Sequence, residues 1–483
     1  MRVPIRDPTR CLVKRQWYGF VIAALTLGLT VTTGQAAPRS PESLRDAQAA
    51  FEAKQYPKAL SLLDPLTVGD RVSVEARRLK LRTLIKLGKP RDAALEYELI
   101  EQGLGKDDVP LLRELCLGAI VPLLTDMREQ MRGAGYTALK ESESEDTVRY
   151  FEDGLTDGSG LIRALAAEGL GKLKAGRQSA RLRKALDDQA AVVRATALKA
   201  LGRSGEPSVL ALAEKAVSDE QPMVHVAALG VQAMLGRREA IKKLEASVAS
   251  LNPEEKGSAL RWLAELEGTA ALPLLKQGLR EAQPSVRGAA AMAVAELKGG
   301  EGGALLIPLL DDPVAPVRAS AAASLGAFPG SSSVEALKKG LRDSHPTVRA
   351  AAIGALLEQG VVADGLTEAV HGLVNHTDPG FRGAAARALG KARGAGVSPA
   401  IETLQILLND TLPRPRIVAA RSLGQMEGGE STVPVRVKML KRSLADQDDA
   451  VRATAGGAIL HLLHDDAGGS GTPRQKAQMP ARP

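Results

Sequence analysis

Aromatic side chains are scarce in this chain: two Trp, five Tyr and five Phe among 483 residues. The cores of β-sandwiches draw on aromatic and β-branched residues, so an apolar content of 44% carried mostly by Ala, Leu and Val points instead to closely packed helices. Cysteine is nearly missing as well, with Cys11 and Cys116 alone. Cys11 falls in a segment read below as a leader, so the processed chain keeps one thiol. That excludes an internal disulfide and a cysteine-based zinc site. Cys116 stands between Leu115 and Leu117 and reads as a buried small hydrophobe. Charge of one sign is lacking too. The net charge of +8 becomes +4 once residues 1–36, with five basic side chains and one acidic, are removed. The remaining cations alternate with acids, so the basic stripe a nucleic-acid binder needs is absent. No later segment reaches the ~20 uncharged apolar residues of a spanning helix.

What is present begins with a targeting pattern. Arg2, Arg6, Arg10, Lys14 and Arg15 precede an apolar run from about Trp17 to Val31, and small residues follow through Gly34 and Ala36. This positive, apolar, small order is that of a secretory signal. It predicts a signal peptide over 1–36 cut after Ala36, a linker over 37–43 and a mature chain in a bacterial periplasm. An uncleaved inner-membrane anchor facing the periplasm is the alternative.

From 44 to 105 the pattern is helical and amphipathic. Ala50–Leu60 and Leu84–Ala94 are similar stretches, with Ala59 and Ala93 in matching places 34 residues apart. That spacing resembles the tetratricopeptide period, although the Trp and Gly marks of its first helix are missing.

The main signal runs through 106–466. Arg132, Arg163, Arg194, His225, Lys256, Arg287, Arg318 and Arg349 follow one another at 31 residues, and the series continues at Arg382, Arg416 and Arg452 at steps of 33, 34 and 36. Three places after each marker stands Ala, or Gly at Gly135, and seven places after stands an apolar residue everywhere except Gln232. Positions −1, +3 and +7 are four apart and share one helical face. Six places before the marker Asp recurs, as in Asp126, Asp157, Asp188, Asp219, Asp312, Asp343, Asp410 and Asp446, while Ser250, Glu281 and His376 fill the other registers. Pro lies three before the marker at 222, 284, 346, 379 and 413, which suits the first turn of a helix. Each unit therefore reads as a helical hairpin with the Asp ending a turn or capping the second helix.

A lone hairpin of this size cannot bury enough surface to fold, so stacking must supply the rest. A planar guanidinium bridges a carboxylate and backbone carbonyls well. The pairs Asp157 and Arg163, Asp188 and Arg194, Asp312 and Arg318, and Asp343 and Arg349 are accordingly read as a structural ladder between stacked units. The expected fold is all-α: a right-handed αα superhelix preceded by two tetratricopeptide-like hairpins. Its eleven units would trace a curve on the order of 100 Å long.

The stretches 311–326 (DDPVAPVRASAAASLG) and 342–352 (RDSHPTVRAAA) resemble the short HEAT-like repeats of the phycobilisome lyase class. The resemblance covers about three quarters of the chain and implies a solenoid. Functionally it spans bilin lyases, scaffolds and adaptors. A bilin lyase needs a pigment and a phycobiliprotein, and export argues against both. Deoxyhypusine hydroxylase, a relative with a di-iron site made by repeated His-Glu pairs, offers a direct comparison. None of the six histidines here is followed by Glu, so that activity does not carry over.

No catalytic set, phosphate loop or cofactor motif emerges. His371 and His376 need not share a face. His461 and His464, ahead of Asp465 and Asp466, could hold a metal weakly, but they read more simply as the polar end of the array, since a stable site wants three or four ligands. The glycines at 299–303 mark a turn. Residues 467–483, with Gly-Gly-Ser-Gly and three prolines, read as a disordered tail.

Solenoids bind along the concave face, here positions +2, +5 and +9 of the second helices. The middle registers offer small and apolar residues such as Ala227, Gly230 and Met292, with charged flanks including Arg387, Lys391 and Arg421. Arg261, Met292, Arg387, Lys391 and Arg421 are the candidate partner-binding residues, in a groove for a helix or extended peptide. The alternative is that Ala and Gly there only permit tight curvature. The sequence thus favours a non-enzymatic protein-binding scaffold in the cell envelope, without a cofactor, over a metal- or cofactor-dependent enzyme on the same frame. Intact-mass measurement of the protein from the envelope should give a chain beginning at Ala37; retention of Met1 would identify an anchor.

Overall fold

The computed structural model describes residues 41–69, 72–297 and 301–467. The signal peptide, most of the linker, the tail after 467 and Gly299 and Gly300 lie outside these. Among the described residues every element is helical, and the chain from Glu42 onward forms one compact unit.

Two hairpins open it: Pro41–Glu52 with Tyr56–Leu63, and Val74–Lys86 with Pro90–Leu104. The first helix begins at 41, slightly before the expected 44. Ala47, Leu63, Ala76 and Leu79 make a small core of their own. The second hairpin packs on Val109–Ile120, the outer helix of the first repeat.

From there an outer and an inner helix alternate eleven times. The inner helices start three residues before each marker, where Pro222, Pro284, Pro346, Pro379 and Pro413 take the first helical position and lose no needed N–H. The Asp six places before the marker ends the turn without capping the helix. Asp157 Oδ1 accepts the Ser159 N–H at 2.8 Å, and Asp188 that of Ala190 at 2.8 Å. The small +3 residues are fully enclosed: Ala166, Ala197, Ala228, Ala259, Ala290, Ala321 and Ala352 are all 0% exposed. Gln232, the polar exception at +7, is buried and donates from Nε2 to Ala213 O at 3.1 Å.

Seven of the nine marker Arg tie two units together. Arg163 Nε and Nη2 donate to Asp188 of the next unit at 2.7 and 2.8 Å, while its Nη1 donates to Asp157 O and Gly158 O of its own turn. The same fork joins Arg132 to Asp157, Arg194 to Asp219, Arg287 to Asp312, Arg318 to Asp343, Arg382 to Asp410 and Arg416 to Asp446. Lys256 reaches Glu281 at 2.8 Å. Arg349 is an exception within the expected ladder. It holds Asp343 O and Ser344 O, but the next unit offers His376 where the carboxylate should be. His225 likewise turns back, to Val217 O.

The inner helices pack on one another along the whole array, whereas successive outer helices scarcely touch. The tighter layer lies on the inside of a curve, so the inner helices form the concave wall. This curve closes, and the expected polar end of the array is thereby corrected. The last inner helix, Asp449–Ala467, packs on its predecessor Pro413–Gln425 and also on Glu129–Ser142 and Val109–Ile120 of the first repeat. Residues 451–460 are all buried. Glycines permit the approach: a Cβ on Gly457 would lie 2.5 Å from Ala138 O, and one on Gly456 3.1 Å from Cys116 O. Polar contacts staple the seam. Lys441 Nζ stands 2.7 Å from both Asp107 and Glu101, and Arg421 Nε donates to Glu141 at 2.5 Å, reaching over the closing helix. The ladder itself stops there. Arg452 meets Asp449 of its own helix, and Asp126 is held by Arg128. Eleven inner helices at about 8–10 Å between axes give a ring whose bore, after side chains, is roughly 20 Å wide.

Two measurements check this architecture. The carboxyls of Asp188, Asp219, Asp312, Asp343 and Asp410 lie below the ordinary aspartate range, chiefly because the partner Arg donates hydrogen bonds to each. A depressed folded pKa contributes stability that is complete above the unfolded value near ~3.9 and is lost as pH falls through the folded value. Melting temperature should therefore hold between pH 7 and 5 and drop below about pH 4. The combined variant Asp188→Asn, Asp312→Asn should melt lower at neutral pH and show a shallower acid drop; a drop of unchanged depth would refute the ladder's role. Gly457→Val, with no room at Ala138, should cost about 2 kcal/mol or more and widen the particle in small-angle scattering as the seam parts.

Candidate functional site

The ladder charges are consumed by the fold and leave little for a ligand. The bore wall is different. At its position +5, in three different inner helices, stand Arg261, Met292 and Arg387, all exposed, with Met292 at 46%. Lys391 is exposed and paired with Glu358 at 3.0 Å, and Arg421 is the half-buried arm of the seam pair with Glu141. Burial holds the Glu141 carboxyl above the usual carboxylate range against the opposing pull of Arg421.

Three of the five candidate residues come together. Arg387, Lys391 and Arg421 line a hollow of about 520 Å³ between Pro379–Leu389 and Pro413–Gln425, with Glu358, Arg393 and Glu427 at its margin. Three of its cations have partners, the third being Arg393 with Glu427 at 3.0 Å. Arg387 has no carboxylate within 4 Å among the described residues. Arg261 and Met292 stand apart from this hollow, on the adjacent inner helices Pro253–Glu267 and Pro284–Ala295.

The expected small floor of the groove is partly covered. Ala227 is 0% exposed, and Gly230 lies under the Trp262 indole, where a Cβ would come within 2.2 Å of the ring. Trp262 was not singled out by periodicity because it sits at +6, on the flank between neighbouring helices. The seam residues Glu141, Lys441 and Asp107 also escaped the repeat pattern. A local signal existed: from Ala453 to Leu460 the last helix carries only small or apolar residues apart from Thr454, which marks a buried helix.

The histidines do not assemble a centre. His376 Nδ1 accepts the Asp378 N–H at 3.0 Å and its ring packs on Phe381 at 4.7 Å, while His371 is exposed on Leu366–Val374. His461 Nδ1 lies 2.9 Å from Glu141 O, part of the closed seam in place of an open end. The side chain of His464 lies outside the described residues. Among those described, no three His, Cys, Asp or Glu converge as a metal site. Cys116 is fully buried, and burial pushes its thiol pKa far up, which leaves it inert at neutral pH.

Comparison with known proteins follows the geometry. HEAT repeats match at 179–254, 247–326, 303–371, 334–411 and 366–459, together more than half of the chain. No protein of established function matches over its sequence. Among solved structures, human deoxyhypusine hydroxylase in complex with glycerol is similar at 21% identity over 51% of this chain and 96% of its own, with a TM-score of 0.30. The CpcE–CpcF complex of phycocyanin lyase from Nostoc is similar at 24% identity over 47% of this chain and 92% of its own, TM-score 0.32. Kap121p is similar at 16% identity over 88% of this chain and 52% of its own, TM-score 0.34. With its marker Arg, its small +3 residues and the span of the repeat match, the chain belongs to the HEAT-repeat family.

Proposed function

We propose that this protein is a non-enzymatic binding scaffold of the bacterial cell envelope that holds a protein segment in the bore of its ring. The observation that carries the reading is the contrast between spent and unspent charge. Ladder cations are forked between carboxylate and carbonyls, whereas Arg387, on the wall of a 520 Å³ hollow, is exposed and has no carboxylate within 4 Å among the described residues. Met292 adds exposed apolar surface on the same wall. A bore roughly 20 Å wide admits a helix of 10–12 Å diameter. The envelope setting rests on the basic, apolar and small-residue order of residues 1–36.

Arg387→Glu tests the reading through chemical crosslinking in intact envelopes followed by mass spectrometry. A partner crosslinked to the wild-type chain should lose at least about tenfold in yield with Arg387→Glu, as expected when a charge-assisted contact is reversed. It should persist with Lys242→Glu on the outer helix Arg238–Ser247. Equal yields in both variants would place binding elsewhere.

A further inference from the structure

Eight of the nine marker Arg meet a carboxylate, and among the described residues Arg349 alone does not. Its guanidinium is nevertheless set like the others. Nη1 donates to Asp343 O at 2.9 Å and to Ser344 O at 3.1 Å, six and five places back, as Nη1 of Arg318 does to Asp312 O and Pro313 O. Its Nε and Nη2, the edge that holds Asp in seven other units, bond to no described residue.

The acid is missing because the next unit carries His376 in its place. His376 Nδ1 accepts the Asp378 N–H at 3.0 Å, the turn bond that Asp157 makes to Ser159. A neutral imidazole used in this way keeps its proton on Nε2 and has no acceptor left for a guanidinium. The ring thus replaces Asp in the turn and leaves the fork empty. The unit of His225 makes the contrast. There the next acid position is Ser250 and the marker is no longer Arg, so neither half of the rung remains. At Arg349 one half is kept.

The open edge has room beside it. Arg349, itself half-buried, lines a hollow of about 530 Å³ between the outer helices Ser331–Gly340 and Leu366–Val374, together with Arg342, Leu341, Glu368 and Ala369. Arg342 is exposed and has no carboxylate within 4 Å among the described residues, and Glu368 pairs with neither Arg. A planar fork anchored on one side and empty on the other matches a carboxylate in two parallel hydrogen bonds.

We propose that the Nε–Nη2 edge of Arg349 is a carboxylate-binding site, filled by an acidic side chain of a partner protein that stands in for the missing rung. A peptide suits the place better than a small inorganic anion. Leu341 and Ala369 give the hollow an apolar wall for the methylenes that carry the carboxylate. Phe381, with its ring centroid 4.7 Å from that of His376 and 6.3 Å from that of His345, adds aromatic surface beside the rung. The site belongs to the turns that join outer to inner helices and not to the bore, so it stands or falls apart from the bore reading.

The test is fluorescence anisotropy on the purified protein with fluorescein-labelled hexa-aspartate, alongside calorimetric titration with acetate. Hexa-aspartate should bind with an affinity that falls as salt rises. Arg349→Gln should weaken it at least about tenfold. His376→Asp, which supplies the carboxylate from within the chain, should weaken it as much and melt no lower than wild type. Lys242→Gln, Lys243→Gln on the outer helix Arg238–Ser247 should leave the affinity unchanged. No binding of hexa-aspartate overturns the site, as does undiminished binding in His376→Asp or an equal loss in the outer variant. A His376→Asp protein that melts lower would show that the fork cannot take a carboxylate there. Acetate binding as tightly as hexa-aspartate would overturn the assignment to a peptide.

Discussion

A guanidinium shared between two hairpins sets the geometry of this molecule. In seven of the nine marker Arg one edge grips the next unit's Asp, as in Arg163, and the remaining nitrogen grips the turn carbonyls of its own unit. Because the fork is planar and bidentate, it fixes orientation as well as distance. The later, longer units show what this constraint tolerates. The Arg-to-Asp separation grows from 25 residues to 28 and 30, yet the bonds stay at 2.6–2.9 Å. The extra residues are absorbed between Arg and Asp, in outer helices such as Val397–Leu408 and Val433–Ser443, which are longer than Ala180–Lys184 or Leu272–Gly278. Insertions are thus routed to the convex side, where helices scarcely touch, and the inner wall keeps its spacing.

A constant step between units accumulates into a constant curvature, and eleven steps return the chain to its start. An open solenoid exposes an apolar face at each end and needs polar caps. Here each end covers the other, so the closing helix can be small and apolar over most of its surface. The seam is built from different chemistry than the steps. It relies on glycine backbone contact at Gly456 and Gly457 and on ion pairs from Lys441 and Arg421. The ladder cannot continue there, because Arg452 and Asp126 are each engaged locally.

The hairpin, its boundaries and its buried stripe were legible because they are local and periodic. A small residue at +3 recurs in every unit and the Asp–Arg spacing in most of them, and a repeated demand leaves a repeated mark. The expectation failed where the demand is not repeated. Arg349 carries the mark of the ladder, but its acid partner depends on position 376, which is His. Closure joins Gly457 to Ala138, more than three hundred residues away, and nothing at either place announces the other. Gly230 looked like open floor because periodicity assigns direction to a residue without telling what a neighbouring helix lays over it, in this case Trp262.

The same reasoning places the proposed function away from the most conspicuous residues. The markers draw the eye because they recur, but a side chain with its bonding capacity filled by the fold has none to offer a partner. The informative cations are those that break the rule of pairing. Every gap in the bore's charge pattern lies on a wall that the ring keeps rigid through its ladder, so the charges there are held in place before anything binds. Preorganised charge loses little freedom on complex formation, which favours the proposed binding along a wall with few aromatic anchors.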